Sequence, residues 1–126
     1  MIPPARLRRR AYRGDYSASA PDAEWAYVPR ERLRLRFVQA AVRAGELALV
    51  SGEVATATEL ALRAIDSDPW SEPARRLLAE ARLAGADRSG ALRALDDCAV
   101  MLRDLGVGPE AATRMLARRM GFARFD

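Results

Sequence analysis

Residues 64–85 read AIDSDPWSEPARRLLAEARLAG. An apolar pattern of helical period runs into Asp68-Pro69, meets Trp70 and restarts at Ser71. Pro69 lacks the amide hydrogen that a helix interior needs, and it biases Asp68 out of helical geometry. Ser71, followed by Glu72 and Pro73, has the make-up of an N-cap and first turn. The stretch therefore predicts a joint, with one helix stopping and the next starting almost at once. Trp70 is one of two tryptophans in the chain. It is expected to cap the groove at this joint, since a large aromatic covers much apolar area there.

Similar punctuation recurs on both sides. A first long helix is expected from about Pro29 to Val50, closed by Ser51-Gly52 with the glycine as left-handed cap. Its inward stripe reads as Leu33, Phe37, Ala40, Ala41, Ala44, Leu47 and Ala48. A second helix covers Glu53 to about Ser67, with Leu60, Ala61, Ala64 and Ile65 inward. The third, after Ser71, turns Ala74, Leu77, Leu78 and Ala81 inward. Gly85-Ala86-Asp87 leads into a fourth from about Arg88 to Leu105, burying Ala91, Leu92, Leu95, Cys98, Ala99 and Leu102. Gly106-Val107-Gly108 ends it, and Pro109 begins a fifth through Met115, Leu116 and Met120. No segment reads as a strand, and the short loops imply antiparallel neighbours.

Residues 14–28 (GDYSASAPDAEWAYV) hold no period and read as a loop. The expected organisation is a basic stub and loop over 1–28, a helical domain over 29–120 and a tail over 121–126. Phe122 and Phe125 of the tail either pack back or belong to a missing neighbour.

Comparing the chain with itself at an offset of 34 residues aligns Ala44 with Leu78, Leu49 with Leu83 and Ala57 with Ala91. Ala61 then falls on Leu95, Ala64 on Cys98 and the turn residue Gly52 on Ala86. This is the period of tetratricopeptide repeats, helix–turn–helix units with small residues where helices cross and a proline after the second helix. Gly45, Ala57, Ala64 and Pro69 hold those places in the first unit; Ala79, Ala91 and Cys98 hold them in the second. Small residues let helix axes approach closely while larger neighbours fill the grooves. The expected fold is all-α, with tetratricopeptide-like antiparallel hairpins stacked as a short superhelix.

Composition agrees with that class. Apolar residues make up 50% of the 126, charged residues 30% and aromatics 6%. An alanine-rich chain poor in aromatics favours close-packed helices over a sheet sandwich. All 21 basic residues are arginine and the net charge is +4. Residues 1–13 (MIPPARLRRRAYR) carry five arginines and no acid. There is no histidine, Gly-rich phosphate loop or nucleophile elbow, so nothing argues for an enzyme or a cofactor. The single cysteine, Cys98, excludes an intramolecular disulfide and suits the cytoplasm. No apolar run is long enough to cross a membrane.

Several patches together resemble the bacterial transcriptional activation domain. They are YRGDYS (12–17), EWAYVPRERLRLRF (24–37), DPWSEPARRLL (68–78) and LGVGPEAATRML (105–116), in the family's order and spacing. The resemblance implies a tetratricopeptide-like domain that usually follows a winged helix-turn-helix module in actinobacterial regulators of the SARP type. It implies contacts with that DNA-binding module, a second copy or RNA polymerase, with DNA reached only indirectly. Set against that resemblance, these 126 residues are expected to lack the DNA-binding module and the domain's first helices. Residues 6–13 look like the stub of the last of those helices, so the chain is expected to be a fragment of a longer regulator or a naturally truncated one.

The partner-binding candidates are Trp25, Tyr27, Arg30, Arg34, Trp70 and Arg76. Trp and Tyr are enriched at interface hot spots, although Trp25 and Tyr27 also suit an end plug of the helical stack. Arg30 and Arg34 lie one turn apart and suit acidic partners or a solvated face. Arg76 matches a family arginine and is expected to make a structural hydrogen bond or salt bridge. Cys98 is expected to be buried and inert. The leading expectation is a regulatory protein-interaction domain of a transcription activator that docks or dimerises. A nucleic-acid binder working through Arg8, Arg9 and Arg10, and a stand-alone adaptor or small-molecule sensor, are the alternatives.

Overall fold

A computed structural model of the chain describes residues 29–125. The described residues form five helices and no strand: α1 Arg30–Val50, α2 Val54–Ser67, α3 Glu72–Ala84, α4 Arg88–Leu105 and α5 Ala111–Met120. Residues from Arg34 onward belong to one compact unit.

The helix ends follow the punctuation. Ser71 caps α3, its hydroxyl accepting the Ala74 amide at 3.2 Å, and Asp87 caps α4, accepting the Gly90 amide at 2.9 Å. The helix α1 closes with Gly52 N–H bonded to the Leu49 carbonyl and Glu53 N–H to that of Ala48. The same pair of bonds ends α3 at Ala86-Asp87, α4 at Gly106-Val107 and α5 at Gly121-Phe122. These are Schellman closures, each needing one left-handed residue. Glycine supplies it at 52, 106 and 121; at the end of α3 it is Ala86, with φ 63°.

Packing fixes the helix directions. Val38, Ala41 and Val42, around the middle of α1, meet Ala64 near the end of α2 and Ala74 near the start of α3. Ala48, near the end of α1, meets Ala57 early in α2 and Ala81 late in α3. Helices α1 and α2 are therefore antiparallel, and α1 and α3 parallel. The start of α5 bonds to the start of α3, while the Met120 carbonyl at its end accepts from Arg88 at the start of α4. Helix α5 thus runs with α3 and against α4. This alternation is that of tetratricopeptide-like hairpins, and α3 lies at its centre. The main core joins α2, α3, α4 and α5 through Ala61, Leu77, Leu78, Leu95, Leu116 and Met120, among others.

The 34-residue alignment carries over into burial. Ala57 and Ala91, Ala61 and Leu95, Ala64 and Cys98 are all fully buried, as is Ala79, while its counterpart Gly45 is buried too. At Gly45 a side chain of α3 comes close to the backbone of α1: a Cβ there would stand 2.4 Å from Leu77 Cδ2.

The inward stripe expected for α1 is only partly observed. Ala41 and Ala48 are buried, but Leu33, Phe37, Ala40, Ala44 and Leu47 are exposed, Leu47 at 60%. The buried stripe is Val38, Ala41, Val42, Gly45 and Ala48. Apolar residues circle most of α1, so periodicity alone does not choose a face. The small residue at 45 does, because it is what lets α3 come close. In the tail, Phe122 and Phe125 pack back on the core, their ring centroids 5.2 Å apart, and Arg124 pairs with Asp96.

Candidate functional site

The α2–α3 joint is held by short-range bonds. The Asp68 carboxylate accepts the Trp70 amide at 3.0 Å, and the Asp68 carbonyl accepts that of Ser71 at 3.2 Å. Arg75 reaches back, its Nε donating to the Pro69 carbonyl at 2.8 Å. These bonds set the Trp70 backbone, but the ring does not close the seam: it is 56% exposed. With backbone and flanking side chains occupied by the turn, the indole is left standing between two grooves.

On one side Trp70 lines a groove of about 580 Å³ between α1 and the start of α3, with Leu35, Val38, Val42 and Pro73 as apolar walls. On the other it lines a shallower one of about 400 Å³ with Pro69, Arg75, Val100, Met101 and Asp104.

The end wall of the first groove is a polar clasp between α3 and α5. Glu72 is 8% exposed. Its Oε2 accepts the Glu110 amide at 2.7 Å and the Thr113 hydroxyl at 2.6 Å. A carboxylate at this place satisfies an open amide at the α5 N-terminus and faces the positive end of that helix. Arg76 Nη1 completes the clasp, donating to Glu110 Oε1 at 2.8 Å and Thr113 Oγ1 at 3.0 Å. Beneath it lies Cys98, fully buried. Burial pushes its thiol up to about 11, with the Glu72 charge adding to the rise.

Of the six candidates, Trp25 and Tyr27 lie outside the described residues, as do Arg8, Arg9 and Arg10 of the basic start. Arg30 and Arg34 are exposed on α1. Trp70 and Arg76 are brought to the same end of α3, the first exposed and the second held in the clasp with its side chain 13% exposed. Glu72, Glu110 and Thr113 were not singled out by sequence reading. The one available hint was that Arg76 and Glu110 stand one repeat apart. No helix among the described residues is long and apolar enough to cross a membrane.

No curated protein and no solved structure matches the chain significantly. The family model described as "Bacterial transcriptional activator domain" matches residues 6–120, spanning the joint, both grooves and the clasp. The chain therefore belongs to the bacterial transcriptional activator domain family.

Proposed function

We propose that this chain is a docking domain of a transcriptional activator, working in the cytoplasm by protein–protein contact and not by catalysis. The observation that carries the reading is Trp70: a tryptophan fixed by a rigid turn, more than half exposed, beside an apolar groove. Exposed aromatics on rigid supports are the usual anchors of protein interfaces. Trp70 is the central contact in this reading, and Arg30 and Arg34 on α1 are further contact candidates. Arg76 acts indirectly by holding the groove's end wall, and Trp25 and Tyr27 remain further contact candidates. The partner is the regulator's DNA-binding module, a second copy of the chain or RNA polymerase, so DNA is engaged through the partner.

The test is affinity capture with the purified chain against a winged helix-turn-helix module and RNA polymerase, with light scattering for self-association. Binding to one of these, lost on Trp70→Ala, supports the reading. A strictly monomeric chain that captures neither overturns it.

A further inference from the structure

The groove between α1 and the start of α3 has a charge opposite to that of the chain. The whole sequence carries +4, yet the groove is lined by Glu46, Asp68, Glu72 and Glu110 against a single arginine, Arg43. Counting Arg76 behind the clasp still leaves it negative. Only Glu110 of the four is in an ion pair among the described residues. Glu46 has no hydrogen bond there, Asp68 accepts backbone amides alone, and the Oε1 of Glu72 accepts nothing.

Between these carboxylates the surface is apolar. Leu35 and Trp70 are each more than half exposed, and Pro73 continues the wall. A partner here would have to cover an indole and a leucine while supplying cationic donors along the edges. A nucleic acid or an acidic peptide brings the wrong sign, and a neutral apolar surface would strip water from carboxylates without replacing it.

We propose that this groove takes a cationic amphipathic segment of a partner protein, with an apolar side chain against Leu35 and Trp70 and arginine or lysine side chains on Glu46, Asp68 and Glu72. The proposal rests on the docking reading above and gives it a chemistry. The segment suited to it places apolar residues at i, i+3, i+4 and i+7 with basic residues beside them, as in helix-in-groove recognition. Because the rim charges are partly solvated, they set orientation and on-rate, and the apolar anchor sets the dissociation rate.

The experiment uses the full chain and two labelled synthetic peptides of leucines at that spacing, one with arginines and one with glutamates at the flanking positions. Fluorescence anisotropy at low salt should show the arginine peptide binding and the glutamate peptide failing to bind. Glu46→Arg should weaken the arginine peptide by about tenfold and give the glutamate peptide measurable affinity. Trp70→Ala should weaken the arginine peptide by about tenfold or more. Both residues are exposed, so both variants are expected to fold, with circular dichroism as the check. Equal binding of the two peptides, or arginine-peptide binding that neither substitution changes, overturns the proposal. Running both variants in the capture experiment separates the two readings. If capture of a regulator module or polymerase persists unchanged in both, docking stands and this groove is not its seat; if the unsubstituted chain captures nothing, docking itself fails.

Discussion

Ala86 offers a sharp test of the repeat, because it occupies the place of Gly52 one period later and adopts the same left-handed backbone. The φ angles are 63° and 78°. For an alanine this conformation costs about 1–2 kcal/mol relative to ordinary helical geometry. Replacing it by glycine removes that cost but adds about 0.4–1 kcal/mol of freedom to the unfolded chain. The balance predicts that Ala86→Gly stabilises the fold by about 0.5–1 kcal/mol, raising Tm by about 2–4 °C for a chain of this size. Gly52→Ala is the mirror experiment. A Cβ at Gly52 meets nothing within 4 Å, so its effect isolates the backbone cost. It should destabilise by about the same 0.5–1 kcal/mol. Urea unfolding followed by circular dichroism reads both, and the double variant should lie close to the parent, as independent sites add. An Ala86→Gly chain no more stable than its parent would refute the assignment of Ala86 to a strained Schellman position.

Four further outcomes follow from the packing and the clasp. Gly45→Ala gains about 1 kcal/mol of helix propensity but must displace Leu77, an overpacking cost of about 1–3 kcal/mol; the net should be destabilising in thermal melts, with Leu77→Val in the same chain recovering part of the loss. Thr113→Val leaves Glu72 and Arg76 each one hydrogen bond short and should cost about 1–3 kcal/mol by chemical denaturation. Glu80 has a folded pKa above its ordinary 4.5, so the native state holds the proton more tightly. Its contribution to stability is full below about that value and falls as pH rises through the folded pKa. Glu80→Gln should therefore raise Tm at pH 7, with the gain shrinking toward pH 4; a gain that grows on acidification would reverse the sign. Cys98, buried and with its thiol near 11, should react with a thiol reagent at pH 8 only as fast as the native chain opens, and at once in denaturant.

The helix boundaries were legible because this chain writes its turns in residues with one conformational meaning. Pro69, Ser71, Gly52 and Gly106 each act within a few residues, so local chemistry suffices. The 34-residue period also picked out the buried small residues Ala57, Ala61 and Ala64 of α2 and Ala91 and Cys98 of α4, since crossing points tolerate little else. It missed Ala94, which is buried, and Ala99, expected inward, is only half-buried. The face of α1 was not legible, because its apolar residues outnumber the places available on one neighbour. Only the contact of Gly45 with Leu77, 32 positions away in sequence, decides the rotation. The clasp was hidden for a related reason. Glu72 meets Glu110 and Thr113 across separations of 38 and 41 residues, and a buried glutamate at the start of a helix looks in sequence like an ordinary first-turn acid. Trp70 shows the reverse error: its rigid turn was foreseen, but a well-tethered backbone does not oblige its side chain to be covered.

The central position of α3 has a consequence for how the domain opens. Helical arrays often fray from their ends, because each unit leans only on its neighbours. Here α3 is shared by the cores that involve α1, α2, α4 and α5. Neither α1 nor α5 can depart without uncovering part of it, and the clasp ties α5 to the first turn of α3. Amide hydrogens of α3 should therefore exchange only through global unfolding, setting the slowest rate in the domain, while those of α1 and α5 exchange through smaller openings.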